Sequence, residues 1–155
     1  KFGRTDVIVK DWRERWATMP SVVLNNTLGE WWTQKPDSGN LWSHCPVSPV
    51  YVLFMNIAGI MPASPGFATC TIRPQLAGLG DLEVTAYTAK GDIPFKATRE
   101  ESGHQVTVGI PKDMDAELLL NADAKCALEA LMPDTPQGLK RYRLKSGASN
   151  TFYVP

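Results

Sequence analysis

The chain has 155 residues, room for one ordinary domain or a small domain with an appendage, but not for a large enzyme. With 43% apolar and 21% charged residues, it holds enough material for a core and too little charge for a disordered segment. Sixteen Lys and Arg balance sixteen Asp and Glu, so no basic excess exists to neutralise a run of phosphates, and no nucleic-acid partner is expected. The longest apolar stretch, residues 47–61, is broken by Ser48, Pro49 and Asn56 and falls short of the roughly 20 residues of a membrane span, so no membrane segment is expected either. Cys45, Cys70 and Cys126 are widely spaced and lack the close pairing of a structural zinc site; they read as plain buried thiols, with no metal and no cofactor. Lys1-Phe2-Gly3-Arg4 resembles neither an initiator methionine nor a signal peptide, so the chain reads as cut from something larger and its compartment cannot be inferred.

Ile8, Trp12, Trp16 and Met19 recur at helical spacing and predict a first helix over residues 5–19, capped by Thr5 and closed by Pro20. Trp12 and Trp16 share its apolar face, which points to packing in a core. Residues 20–46 have no clear period and read as a long structured loop of the kind that usually carries function. A second helix is expected over residues 48–57, with Pro49 in its first turn and Gly59 stopping it. All five tryptophans fall within the first 42 residues, which marks a boundary. After Pro65-Gly66 the pattern changes to short runs of period two. Strands are predicted at 67–72, 82–88, 92–98, 105–110, 116–120, 140–144 and 151–154, with hairpin turns at Lys90-Gly91-Asp92 and Ser102-Gly103-His104. The Ala-rich segment 122–131 fits either a strand or a short helix. His104, in a turn, is expected at the surface. Tyr87, Phe95, Tyr142 and Tyr153 read as core or edge residues. The fold class is α+β: two helices and a long loop, then an antiparallel β-sandwich.

The run Tyr51 to Pro65, followed by Gly66-Phe67 and Thr71-Ile72-Arg73-Pro74, resembles the bacterial α-L-rhamnosidases. In that family a last barrel helix ends in Leu-Ala-Gly-Ile, and Pro-Gly-Phe and Ile-x-Pro open a C-terminal β-sandwich. The matching residues are Ile57-Ala58-Gly59-Ile60, Pro65-Gly66-Phe67 and Ile72-Arg73-Pro74. Lys90-Gly91-Asp92-Ile93, Val108-Gly109-Ile110-Pro111, and Ser146-Gly147 with Phe152 are similar to later motifs, in the same order. Upstream, Asn26-Thr27-Leu28-Gly29-Glu30-Trp31-Trp32 resembles the family's Thr-x-x-Glu-x-Trp loop, and Trp42-Ser43-His44 resembles its Asn-His element. Ser43 stands where that element has Asn, and Pro46-Val47-Ser48-Pro49 replaces the usual helix entry.

The resemblance implies that residues 1–62 are the end of an (α/α)6 toroid and residues 63–155 the C-terminal sandwich. It implies that Glu30 is the general base of an inverting glycosidase, with Trp31, Trp32, Trp42 and His44 binding substrate. Such an enzyme needs two carboxyl groups about 6.5–9.5 Å apart, and the general acid lies in an earlier barrel loop, so this chain alone is expected to be inactive. Flat Trp faces suit the C–H surface of a pyranose, and they would partly desolvate a neighbouring carboxylate. The implied partners are a rhamnose-containing oligosaccharide or glycoside and the remainder of the parent catalytic domain. Trp12, Trp16 and Phe54 need a cover, which either the sandwich or a second copy in a homo-oligomer would give. The competing reading is a noncatalytic carbohydrate-binding or structural β-sandwich module of a larger protein. A third keeps the glycosidase and changes the sugar.

Overall fold

The computed structural model describes residues 3–33, 35, 47–121, 124, 126, 128, 130–131 and 138–155. They divide into two compact units, Lys1–Leu53 and Phe54–Pro155.

In the first unit, α1 (Thr5–Asp11) runs into a π-helical turn, Trp12–Trp16. The widening is visible in the Ala17 N–H, which bonds the Trp12 carbonyl five residues back at 2.8 Å. Arg4, not Thr5, occupies the cap position, and no side chain caps the helix; the Thr5 side chain is buried instead. Trp12 and Trp16 are half-buried. Pro20 does not simply end the helix. It opens a further one, α2 (Pro20–Asn25), because a ring without an N–H costs nothing at a first helical position. Part of the expected loop is therefore helical. The chain leaves α2 through Asn26 in the left-handed conformation (φ 53°), and the Thr27 N–H bonds back to the Ser21 carbonyl at 3.1 Å. α3 (Ser48–Val52) carries Pro49 in its first turn and continues as a second π-helical turn, Leu53–Ile57, within the predicted bounds.

The second unit is a β-sandwich. One sheet has the order β1-β2-β6-β8-β7 and the other β3-β4-β5-β9. Their ranges are β1 Ile60–Pro62, β2 Thr69–Ile72, β3 Leu82–Thr88, β4 Gly91–Glu100, β5 Gly103–Ile110, β6 Asp115–Asn121, β7 Ala130–Leu131, β8 Leu139–Leu144 and β9 Ala148–Val154. All seven predicted strands are present. Two short ones, β1 and β7, join them, and β7 gives the end of the ambiguous 122–131 segment as strand. The ladders among the described residues are antiparallel except one, since β2 runs parallel to β6 with Cys70 opposite Ala116.

Alternation sets the core. Ile93, Phe95 and Ala97 from β4, with Val106, Val108 and Ile110 from β5 and Phe152 from β9, face Ile60, Ile72, Leu118, Leu120, Tyr142 and Leu144 of the opposite sheet; all are buried. Each of the Val, Leu, Ile and Phe side chains contributes about 1.5–3 kcal/mol relative to exposure. The turn between β3 and β4 is Ala89-Lys90 and that between β4 and β5 is Glu101-Ser102, one or two residues earlier than the spacing suggested. His104 is not at the surface. It is 2% exposed, and its Nε2 lies 2.9 Å from the Leu79 carbonyl and 3.3 Å from that of Gly80. Two acceptors at one nitrogen require the hydrogen to be on Nε2.

The quoted motifs meet in space. The Arg73 N–H bonds the Gly59 carbonyl and the Gln75 N–H bonds the Ile57 carbonyl, both at 2.9 Å, so the end of the helical run is stapled to the segment after β2. Gly59 has φ +72°, and a Cβ there would overlap the Arg73 carbonyl. Between β8 and β9 the chain crosses from one sheet to the other. The buried Asn150 holds this arch by accepting from the Lys145 N–H at 2.8 Å and donating to the Lys145 carbonyl at 3.1 Å. The Ser146 hydroxyl donates to the Met114 carbonyl at 2.6 Å.

Candidate functional site

The loop after α2 brings Glu30, Trp31 and Trp32 together. Its anchor is Ser21, 1% exposed, whose Oγ accepts the Gly29 N–H at 2.9 Å while its carbonyl takes the Thr27 N–H. A short polar side chain in the first turn of α2 thus fixes the backbone one residue before the carboxylate. Glu30 itself is exposed, so the neighbouring Trp31 and Trp32 do not bury it.

The two indoles have different surroundings. Trp31 is 63% exposed. Trp32 meets the edge of Trp16, with ring centroids 5.0 Å apart and planes at 74°, and the Arg15 guanidinium carbon lies 4.7 Å from its ring centroid. Arg15 is held in turn by Asp11 at 3.1 Å, and the other oxygen of Asp11 accepts the Trp16 indole N–H at 3.0 Å. The π-helical turn makes this last contact, because it brings residue 16 over residue 11. Trp32 is therefore clamped by the first helix, and Trp31 is the freer face. Trp42 and His44 lie outside the described residues, as does Cys45.

Ser21 and Arg15 were not singled out by sequence reasoning. The Asp11–Arg15 spacing of four was a legible signal, whereas nothing local marks Ser21 as the anchor of a loop eight residues on. Among the described residues no three His, Cys, Asp or Glu side chains group as a metal site. No helix among them is long and apolar enough to cross a membrane.

Two hollows lie among the described residues of the sandwich. One, of about 350 Å³, is lined by Thr69, Asp115, Glu117 and Arg143 among others. The second, of about 280 Å³, lies between Phe54, Met55, Ile60, Phe67 and the edge strand residues Thr85, Ala86 and Tyr87. Tyr87, on the edge strand β3, is 81% exposed, whereas Phe95 and Tyr142 are core residues. Burial pushes the Tyr142 hydroxyl above its ordinary range, with a smaller contribution from Cys126.

Residues 59–130 match the family model described as the bacterial alpha-L-rhamnosidase C-terminal domain. A curated alpha-L-rhamnosidase from Alteromonas sp. (strain LOR) is 28% identical over 129 residues, which is 76% of this chain and 14% of that protein. Among solved structures, the Streptomyces avermitilis α-L-rhamnosidase complexed with L-rhamnose superposes with a TM-score of 0.63 at 22% identity, covering 79% of this chain and 12% of that one. The α-L-rhamnosidase from Aspergillus terreus gives 0.50 at 19% identity, over 66% of this chain and 10% of that one. The chain thus spans only about a seventh or less of the proteins it matches, and the structural likeness establishes the fold. Over residues 59–130 the chain thus matches the C-terminal domain of the bacterial α-L-rhamnosidases, and beyond that stretch it is similar to such enzymes in sequence and in fold.

Proposed function

We propose that the chain is the C-terminal part of a glycoside hydrolase that cleaves terminal α-L-rhamnosides with inversion, and that Glu30 is its general base. The observation that carries this reading is the Glu30-Trp31 pair, presented on a loop whose backbone is pinned by the buried Ser21. A general base must reach a water on the face of the sugar opposite the leaving group. The exposed Glu30 has room for one, and Trp31 offers a flat apolar face to the ring. In the step itself Glu30 takes a proton from that water as its oxygen bonds the anomeric carbon. The bond to the aglycone oxygen breaks, and that oxygen takes a proton from an acid elsewhere in the longer protein. Neutral sugar and neutral alcohol result, with the anomeric configuration inverted. Trp32, Trp42 and His44 complete the proposed sugar contacts, and residues 1–62 belong to the helical catalytic domain. The acid is supplied from outside this chain, so the 155 residues alone are inactive.

The test is hydrolysis of an aryl α-L-rhamnoside by the full-length enzyme and by its Glu30→Gln form. Loss of a base of this kind is expected to lower kcat by about 10²–10⁴-fold with KM little changed. Proton NMR of the first product is expected to show the inverted anomer. Unchanged turnover in a folded Glu30→Gln enzyme would refute the base assignment. Absence of rhamnoside turnover by the parent would refute the substrate.

A further inference from the structure

We infer that strand β3 is the interface through which two copies of this chain pair edge to edge, extending the four-stranded sheet across a two-fold axis at Thr85. Among the described residues β3 is the terminal strand of its sheet, bonded to β4 on one side only. Its two-residue turn closes on Thr88 opposite Gly91, which makes that pair mutually bonded. By alternation Ala86 with Ile93 and Val84 with Phe95 are bonded in the same way. Glu83, Thr85 and Tyr87 therefore point their N–H and C=O groups away from β4, toward the open edge. The turn between β4 and β5, closing on Glu100 opposite Gly103, gives the same phase: it turns the nitrogen of Pro94, which has no hydrogen, toward β5 and away from β3.

The strand itself carries few of the features that discourage pairing. The sequence Leu82-Glu83-Val84-Thr85-Ala86-Tyr87-Thr88 has no proline, no lysine and no bulge, and it is rich in β-branched and aromatic residues. Its charges also suit a second copy in one register. With Thr85 opposite the partner's Thr85, Glu83 faces the partner's Tyr87 and Tyr87 faces the partner's Glu83. Lys96 lies beside Glu83 on β4, at 3.8 Å, and Asp92 lies beside Tyr87. A row across the joined sheets then reads Lys96, Glu83, the partner's Tyr87, the partner's Asp92, so that no like charges are adjacent. Centring the axis on residue 83 would set two glutamates opposite each other, which is unfavourable. On the inner side, Ala86 would face the partner's Val84 beside the apolar hollow of Phe54, Met55, Ile60 and Phe67. That gives the hollow an aliphatic cover.

The test uses the 155-residue chain and light scattering behind size exclusion over a range of concentrations. The wild type is expected to run at twice the chain mass. Thr85→Lys and Thr85→Glu each set like charges opposite one another at the axis, and each alone is expected to run as a monomer with unchanged circular dichroism. Mixed in equal amounts they are expected to recover the dimer, which a merely misfolded variant would not do. A wild type that stays monomeric at high concentration overturns the proposal and leaves this edge to a strand of another protein. Variants that remain dimeric alone overturn it in favour of another interface.

Discussion

Cys70 sits on β2 at 1% exposure, with its Sγ 3.5 Å from the Met114 sulfur. Burial pushes its thiol from about 9 up to about 11, because the thiolate would be poorly solvated there. The folded state therefore holds its proton more tightly than the unfolded chain does. The resulting stabilisation is fully present below pH 9, where both states are protonated. It is lost as the pH rises from 9 through 11, by on the order of 2 kcal/mol. The raised Tyr142 hydroxyl adds to the loss in the same direction. Urea midpoints of the chain are expected to fall across this range, and Cys70→Ala is expected to flatten the fall. Cys70 was legible in the sequence as an inert buried thiol. His104 was not, because its local context of Ser-Gly-His reads as a turn, and the Leu79 and Gly80 carbonyls that satisfy it come from more than twenty residues away.

At the level of elements, alternation was a reliable guide and partnership was not. The inward residues of β4 and β5 follow from period two, since one face of each strand must be apolar for the sheets to pack. The parallel pairing of β2 with β6 has no local signature, because a single strand reads the same whichever way its neighbour runs. β1 was hidden for a related reason: three residues are too few to show a period, and Ile60 earns its place only by pairing with Ile72. The Ile-Ala-Gly-Ile and Ile-x-Pro motifs were visible separately, and the structure gives them one purpose. Gly59 lets the backbone turn at positive φ directly against Arg73, so the helical run can be stapled to the strand. Gly59→Ala adds strain at that φ and displaces the Arg73 backbone. It is expected to cost about 3 kcal/mol or more in urea unfolding. Gly138→Ala has a similar φ of +67° but open space around it, so it is expected to cost only about 1–2 kcal/mol, which separates the clash from the strain.

Across the whole molecule, buried and exposed apolar surface are unevenly divided. Phe95, Ile57, Ile60, Ile72, Ile93, Met114, Leu118, Val106 and Val108, the large fully buried apolar side chains, all belong to Phe54–Pro155. The exposed large apolar side chains among the described residues are Val7, Val23, Leu24, Trp31, Trp32, Val47, Val50 and Tyr51 in the first unit, against Tyr87 alone in the second. All five tryptophans of the sequence fall in the first of these units. What the sequence could not convey is that the described residues of the first unit form helices without a comparable core, since amphipathic spacing shows which face is apolar and not what covers it. Stability should follow the core, because burial supplies most of the favourable free energy. Residues 54–155 expressed alone are therefore expected to unfold cooperatively in urea, with the Cys70 thiol unreactive toward a disulfide reagent until the transition. Residues 1–53 alone are expected to lack a cooperative transition and to bind a hydrophobic dye. Free reactivity of Cys70 in the long piece would show that the second unit borrows stability from the first, and a cooperative transition in the short piece would show that the first unit has a sufficient core of its own.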